Sequence, residues 1–306
     1  MKTIIMIRHL LLAAVLCITT TGNFAHAAEA TLKALIIDGQ NNHDWVKTTP
    51  VLKEMLEKCG RFTVEVATSP QGKADEAAWA AYKPAFDKYD VVVSNYNGRA
   101  WAEPTKAAFL KYVADGGGVV MIHAANNAFQ GWTEYDKMIG LGWRDANYGE
   151  GIIVDADGKV VRRPKGQGPG AGHGAKYPFL VTTRDAEHPV MKGLPKAWMH
   201  AEDELYHGQR GPAENMTVLA TAMSDKTKGG TGDNEPMIWV IPYGKGRVFT
   251  TVMGHRWGGD ASAPAVDCAG FQAIVCRGSE WAATGKVTLP VQANFPTAEK
   301  TSSLAK

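Results

Sequence analysis

Histidines and carboxylates at the ends of apolar runs are the residues of this chain whose types and spacing suit chemistry. His123 follows Asp115-Gly-Gly-Gly-Val-Val-Met-Ile122, in which glycines close a helical run and four apolar residues lead into the imidazole. A short apolar run bounded by a glycine turn fits a strand buried on both faces of a parallel sheet. A polar residue directly after such a strand sits at its carboxyl end, where open α/β sheets place their ligand crevices. The competing reading is a histidine that merely hydrogen-bonds a loop. Asn41, His43, Asp44 and Trp45 follow the first strand of the pattern, Asn95, Tyr96 and Asn97 the third, and His123, Asn126 and Asn127 the fourth. In a parallel sheet these loops emerge at one edge and converge. His255 and Arg256 follow a late strand ending at Met253-Gly254, whose direction is not readable from sequence.

A second cluster, His200, Glu202, Asp203, Glu204 and His207, is dense in groups that make either an acid/base pair or an N/O site for a divalent ion such as zinc. A solvated acidic turn is the plainer alternative. No H-E-x-x-H or C-x-x-C spacing is present. G-x-S-x-G is also absent, which disfavours a serine nucleophile, and no phosphate-binding glycine motif follows the first strand. Trp45, Trp101, Trp132, Trp143 and Trp257 all fall in or near loops. Aromatic faces beside Asn, Asp and His suit a small carbohydrate, although each tryptophan singly is an ordinary packing residue.

The elements that must position these residues alternate. Strands are expected at Lys33–Asp38, Phe62–Val66, Tyr89–Ser94 and Val119–Ile122, with helices at Thr49–Lys58 (Pro50 in its first turn), Asp75–Phe86 and Pro104–Ala114 between them. Such alternation makes a doubly wound, mostly parallel α/β sheet. A short helix at Tyr135–Ile139 and a strand at Gly151–Val154 follow, then a basic, Gly- and Pro-rich stretch, Asp155–Tyr177, read as a hairpin plus a long exposed loop. Strands at Phe179–Thr182 and Thr217–Thr221 come next. A hairpin of Met237–Ile241 with Arg247–Val252 and a helix at Phe271–Ala283 complete one elaborated domain, residues 28–290, before a polar tail at 291–306.

A net charge of +2 on 306 residues argues against nucleic acid or an anionic membrane as the main partner. Residues 1–27 read as a secretory signal: Lys2 and Arg8, the apolar run Leu10–Thr19, and Ala25-His26-Ala27 as the cleavage site. A periplasmic or secreted protein is expected, with no later membrane span, and self-association is left open. Cys59, Cys268 and Cys276 then remain, an odd number that permits at most one disulfide. Cys268 and Cys276 are nearest in sequence, but along one helix they stand roughly 12 Å apart, too far to bridge. Buried thiols are expected.

The run ending in His123, His188-Pro-Val-Met-Lys-Gly-Leu-Pro195, Asp203-Glu-Leu-Tyr206 and Tyr243-Gly-Lys-Gly-Arg-Val-Phe-Thr-Thr-Val-Met-Gly-His255 together resemble the ThuA-like (trehalose utilisation) family. The resemblance runs from Lys33 to about Thr284 in the family's order. It implies a flavodoxin-like, class I glutamine amidotransferase-like fold in which His123 occupies the turn that carries a cysteine nucleophile in true amidotransferases. Met121 stands where the family usually has Gly. The resemblance also implies one polar site made of His43, His123, Glu204 and His255, and a role in sugar utilisation. On this reading His123 is the general acid or base and Glu204 its partner. His43, His123 and His255 are candidate metal ligands, and His43, Trp45, Asn41, Asn126, His255 and Arg256 contact the sugar. Open beside an enzyme of a (keto-)disaccharide or glycoside stand a non-catalytic sugar-binding module and a metal-dependent hydrolase of another small molecule.

Overall fold

The computed structural model describes residues 30–303. The expected secretory signal lies outside them. In chain order the elements are β1 (Leu32–Asp38), α1 (Trp45–Lys58), β2 (Phe62–Thr68), α2 (Glu76–Ala81), β3 (Val91–Ser94), α3 (Glu103–Ala114) and β4 (Gly118–Ile122). They are followed by α4 (Thr133–Ile139), β5 (Glu150–Val154), β6 (Val160–Arg163), β7 (Gly172–His173), β8 (Tyr177–Thr183), β9 (Ala197–Asp203), β10 (Tyr206–His207) and β11 (Arg210–Gly211). The chain then runs through β12 (Thr217–Met223), β13 (Asn234–Tyr243), β14 (Gly246–Thr251), α5 (Pro264–Asp267) and α6 (Ala269–Thr284).

One mixed sheet runs in the order β2-β1-β3-β4-β14-β13-β12-β8-β9. The first five strands are parallel, and β14 pairs in parallel with β4 across Arg247–Thr251 and Gly118–Ile122. From β14 outward the pairing is antiparallel. β3 and β4 are buried along their whole length, so each is built mainly of apolar residues without polar alternation, Val91–Val93 and Val119–Ile122. The chain leaves β1 in one direction to β2 and returns across it to β3 and β4. Right-handed crossovers then place α1 and α3 on opposite faces, and the reversal between β1 and β3 opens a crevice at the strands' carboxyl ends. β14 enters that same edge, which settles the direction of the strand before His255.

Three expected elements change. α1 begins at Trp45 because the Asp44 side chain accepts from Lys47 N (3.3 Å), so Pro50 lies inside the helix rather than in its first turn. The helix expected over Asp75–Phe86 stops at Ala81, because Pro84 brings no N–H and holds Lys83 out of helical backbone; a 3₁₀ turn at Phe86–Lys88 follows. β9 is a strand where only a polar cluster was legible. Residues 291–303, set apart on composition as a tail, pack back on the domain: Met199 N donates to Thr297 O (2.7 Å) and Phe295 lies against Trp198 (5.5 Å). The three cysteines are thiols, Cys268 and Cys276 buried and Cys59 half-buried. No helix of the described residues is long and apolar enough to cross a membrane.

The Asp155–Tyr177 stretch is a hairpin followed by a tethered strap. β6 pairs with β5, and β7 then pairs with β10. The buried Arg210 guanidinium donates to Pro169 O (2.9 and 2.6 Å), Pro164 O (3.4 Å) and Gln167 O, fastening residues 164–169 from beneath. Arg210→Met keeps the side chain's bulk and leaves those carbonyls without donors. It should lower unfolding free energy by about 3 kcal/mol in urea titration and speed trypsin cleavage after Lys165. An unchanged cleavage rate would show that the strap is held by other contacts.

Candidate metal centre

His123 opens the turn after β4 with φ 45°, a left-handed conformation that non-glycine residues seldom adopt. Strain of this kind persists where surrounding structure over-determines it, commonly at functional turns. The turn projects the imidazole past the sheet edge, where Nδ1 meets Val252 O (2.7 Å) and the ring packs against Tyr206 (4.4 Å). A carbonyl only accepts, so Nδ1 carries the hydrogen and Nε2 keeps its lone pair. His43, in the loop after β1, repeats the pattern. Its Nδ1 faces Asn41 Oδ1 (3.3 Å), while Asn41 Nδ2 is anchored on Asn95 O (3.3 Å). His173, brought in by the strap on β7, donates from Nδ1 to Gly174 O (2.7 Å).

All these Nε2 atoms face Glu204, just past the end of β9. Oε2 lies 3.8 Å from His43 Nε2 and 3.9 Å from His123 Nε2. Oε1 lies 3.2 Å from His255 Nε2 and 3.6 Å from His173 Nε2, and it accepts from Trp257 Nε1 (3.1 Å). His43, His123, His255 and Glu204 are buried, whereas the His173 side chain is 34% exposed. The Nε2 atoms of His43, His123 and His255 are buried without a hydrogen-bond partner. Burial, and then His43, push His123 well below the usual histidine range, and burial likewise lowers His255. For Glu204, burial is outweighed by His43, His255 and His173, which hold it below the usual carboxylate range. The centre therefore gathers imidazole Nε2 atoms, those of His123 and His255 pushed toward the neutral form, around one carboxylate that is held ionised, an arrangement complementary to a cation.

The geometry is ion-sized. His43, His123 and Glu204 offer ligand atoms within 4.8 Å of one another. Ligands at ~2.1 Å from a tetrahedral zinc stand roughly 3.4 Å apart, so the 3.8 and 3.9 Å separations need only a slight contraction. The Nδ1 contacts to Val252 O and Asn41 Oδ1 are of the kind that orients the imidazoles in metal sites. The carboxylate just past β9 offers the third potential ligand atom. His255, named with the ligands on sequence, faces the other oxygen of Glu204.

Asp203 fixes the frame. Fully buried, it accepts from His200 Nε2 (2.8 Å), Glu204 N (2.7 Å), Gly254 N (2.8 Å) and His255 N (3.2 Å), tying β9 to the turn after β14. Burial lowers the His200 pKa, but the Asp203 bond outweighs it and carries the imidazole up to about 9. Behind this frame Glu235, on β13, accepts from Gly208 N (3.1 Å) and Thr231 Oγ1 (2.8 Å). Burial pushes its carboxyl up to about 7. An acid raised on folding contributes most below its unfolded pKa and loses that contribution as pH rises to the folded value, here from about 4.5 to about 7. Glu235→Gln should therefore raise Tm relative to the parent at pH 8, by the equivalent of about 3 kcal/mol, and the gain should vanish near pH 4.5. Equal Tm values for parent and variant at pH 8 would contradict this.

The remaining sequence candidates divide. Asn41 orients His43. Asn126 is buried in a network with Gln209 and Leu141 O (3.3 Å). Arg256 ties its loop to α1 through Arg256 O and Asp44 N (2.9 Å). Trp45 is half-buried at the first residue of α1. The aromatic that stacks on the site is Trp257, 4.4 Å from His43 and nearly parallel to it. Trp143 borders His173 and Tyr206, whereas Trp101 and Trp132 pack in an aromatic cluster with Phe109 and Phe129. His173 was not singled out on sequence, and Trp257 was named there only as one of five loop tryptophans; its place two residues after His255 was the signal that set it apart. A cavity of about 10 Å³ lies behind His43 and His123, room for one water-sized group. A separate groove of about 1050 Å³, lined by Tyr148, Arg162 and Glu214, includes none of the site residues.

Comparison with known proteins agrees with this architecture. The ThuA family model, described as trehalose utilisation, matches residues 33–282. The chain belongs to the ThuA family. A solved thua-like protein from Parabacteroides merdae ATCC 43184 is 43% identical, with a TM-score of 0.85 over 90% of this chain and 98% of that one. A second, from Bacteroides uniformis ATCC 8492, is 20% identical, with a TM-score of 0.56 over 87% and 97%. No curated protein matches the chain. The fold expected from the resemblance, an amidotransferase-like α/β sheet of the ThuA type, is the one found, and His123 holds the turn after β4.

Proposed function

We propose that this ThuA-family chain is an exported, divalent-metal-dependent enzyme acting on a small carbohydrate or modified sugar. His43, His123 and Glu204 are the ion's ligands. The observation that carries the reading is the convergence of buried, partnerless imidazole Nε2 atoms on one ionised carboxylate. Two histidines and a carboxylate leave a further position open, as in hydrolytic zinc sites. An ion held there supplies Lewis-acid polarisation of a substrate oxygen. A metal-free acid/base dyad of His123 and Glu204 fits less well, because 3.9 Å exceeds hydrogen-bond range.

The outer face of the site suits a polyol. Glu204 Oε1 and His173 Nε2 are both acceptors, 3.6 Å apart, and two neighbouring hydroxyls of a sugar can donate one hydrogen to each. Trp257 covers the site beside them and offers the flat apolar face that sugar C–H groups pack against. The family's association with trehalose utilisation points the same way. The test is a screen of disaccharides and their keto derivatives with Zn²⁺- and Co²⁺-loaded protein, with and without chelator. Turnover lost on chelation and restored by metal is the expected result. Turnover indifferent to chelation would overturn the metal role, and saturable sugar binding without turnover would make this a binding module.

A further inference from the structure

We infer that Cys59 and Cys276 form a disulfide that staples α1 to α6 wherever a disulfide oxidant is present. Though distant in sequence, the two residues meet at one carbonyl: Met55 O accepts from Cys59 N (3.1 Å) and from the Cys276 thiol (3.5 Å). The Cys59 thiol donates to Leu56 O (3.0 Å), and the two thiols are in hydrogen-bond contact with each other. Closing the bond exchanges weak S–H···O contacts for a covalent one. Cys268 does not compete, since it caps α6 two turns away from Cys276 and is buried against His200. The pair lies at the opposite end of α1 from His43, roughly 20 Å along the helix axis, so the cross-link and the metal centre are independent.

Access sets the order of events. Cys59 is half-buried and Cys276 fully buried, so an external disulfide of the glutathione class reaches Cys59 alone. The Cys59 thiolate attacks one sulfur of oxidised glutathione, the S–S bond breaks, and the first glutathione leaves as thiolate. The Cys276 thiolate then attacks the Cys59 sulfur of the mixed disulfide and displaces the glutathione still bound there. Two protein thiols are oxidised, one glutathione disulfide is reduced to two thiols, and the two protons pass to the leaving thiolates. The hydrogen bond from Cys276 lowers the Cys59 pKa, which favours Cys59 as the first nucleophile.

The experiment is incubation of the native protein with oxidised glutathione, then denaturation, thiol blocking and peptide mapping without reductant. Expected are a loss of two free thiols, one linked peptide joining Cys59 to Cys276, and a rise in Tm of up to roughly 10 °C that reductant reverses. Cys59→Ser should lose both the link and the shift, and Cys268→Ser should keep both. Unchanged thiols, glutathione left on Cys59, or a link through Cys268 would each overturn the assignment. Because mapping is done on the parent chain, the result does not depend on how well either variant folds.

Discussion

If the proposed centre holds, Glu204→Gln should lower Zn²⁺ affinity by more than the ~10–100-fold that loss of an outer-shell partner costs a metal site. The side chain keeps its shape, so the change isolates charge and ligand capacity. Glu204 is the one carboxylate that the Nε2 atoms of His43, His123, His255 and His173 all face. A neutral amide there removes the one negative charge that these imidazoles share. Competition against a chromogenic chelator measures the effect directly. Glu202→Gln, one strand position from Asp203 and exposed, is the control and should leave affinity unchanged. Equal affinities for Glu204→Gln and the parent would mean that the imidazoles do not gather around a metal.

Asp203→Asn should be the most destabilising conservative change near the site, by about 3–5 kcal/mol. It removes the counter-charge of the fully buried His200 and places an amide donor among the N–H groups of Glu204, Gly254 and His255. Thermal and urea denaturation read the loss. Because those N–H groups hold Glu204, the proposed ligand, and the neighbouring His255, metal affinity should fall with stability. A variant of full stability would show that the β9–β14 tie is dispensable.

The parallel half of the fold was legible because its signals are local. Val119–Ile122 between Gly118 and His123 reads as a doubly buried strand, and the loops holding Asn41, His43, Asn95 and His123 had to meet wherever such strands align. What was not legible depends on contacts far apart in sequence. β9 buries His200 and Asp203 on an edge strand, inverting the rule that polar positions face water, so Ala197–Asp203 carries no clean alternation. His255 joins the crevice only because β14 lies parallel to β4, a pairing set by the sheet rather than by the hairpin sequence. His173 reaches Glu204 through a glycine-rich strap whose course is set by Arg210, so its composition reads as an exposed loop. Asn126, a plausible ligand contact by position, is consumed by the interior network with Gln209.

Elemental analysis of the protein purified without chelator, beside a His43→Ala/His123→Ala double variant, tests the metal centre most directly. About one equivalent of a divalent metal in the parent, absent from a folded double variant, is the expected result. A parent free of metal that also fails to take up Zn²⁺ or Co²⁺ on titration would contradict the proposed centre and leave the converging imidazoles to be explained by proton chemistry.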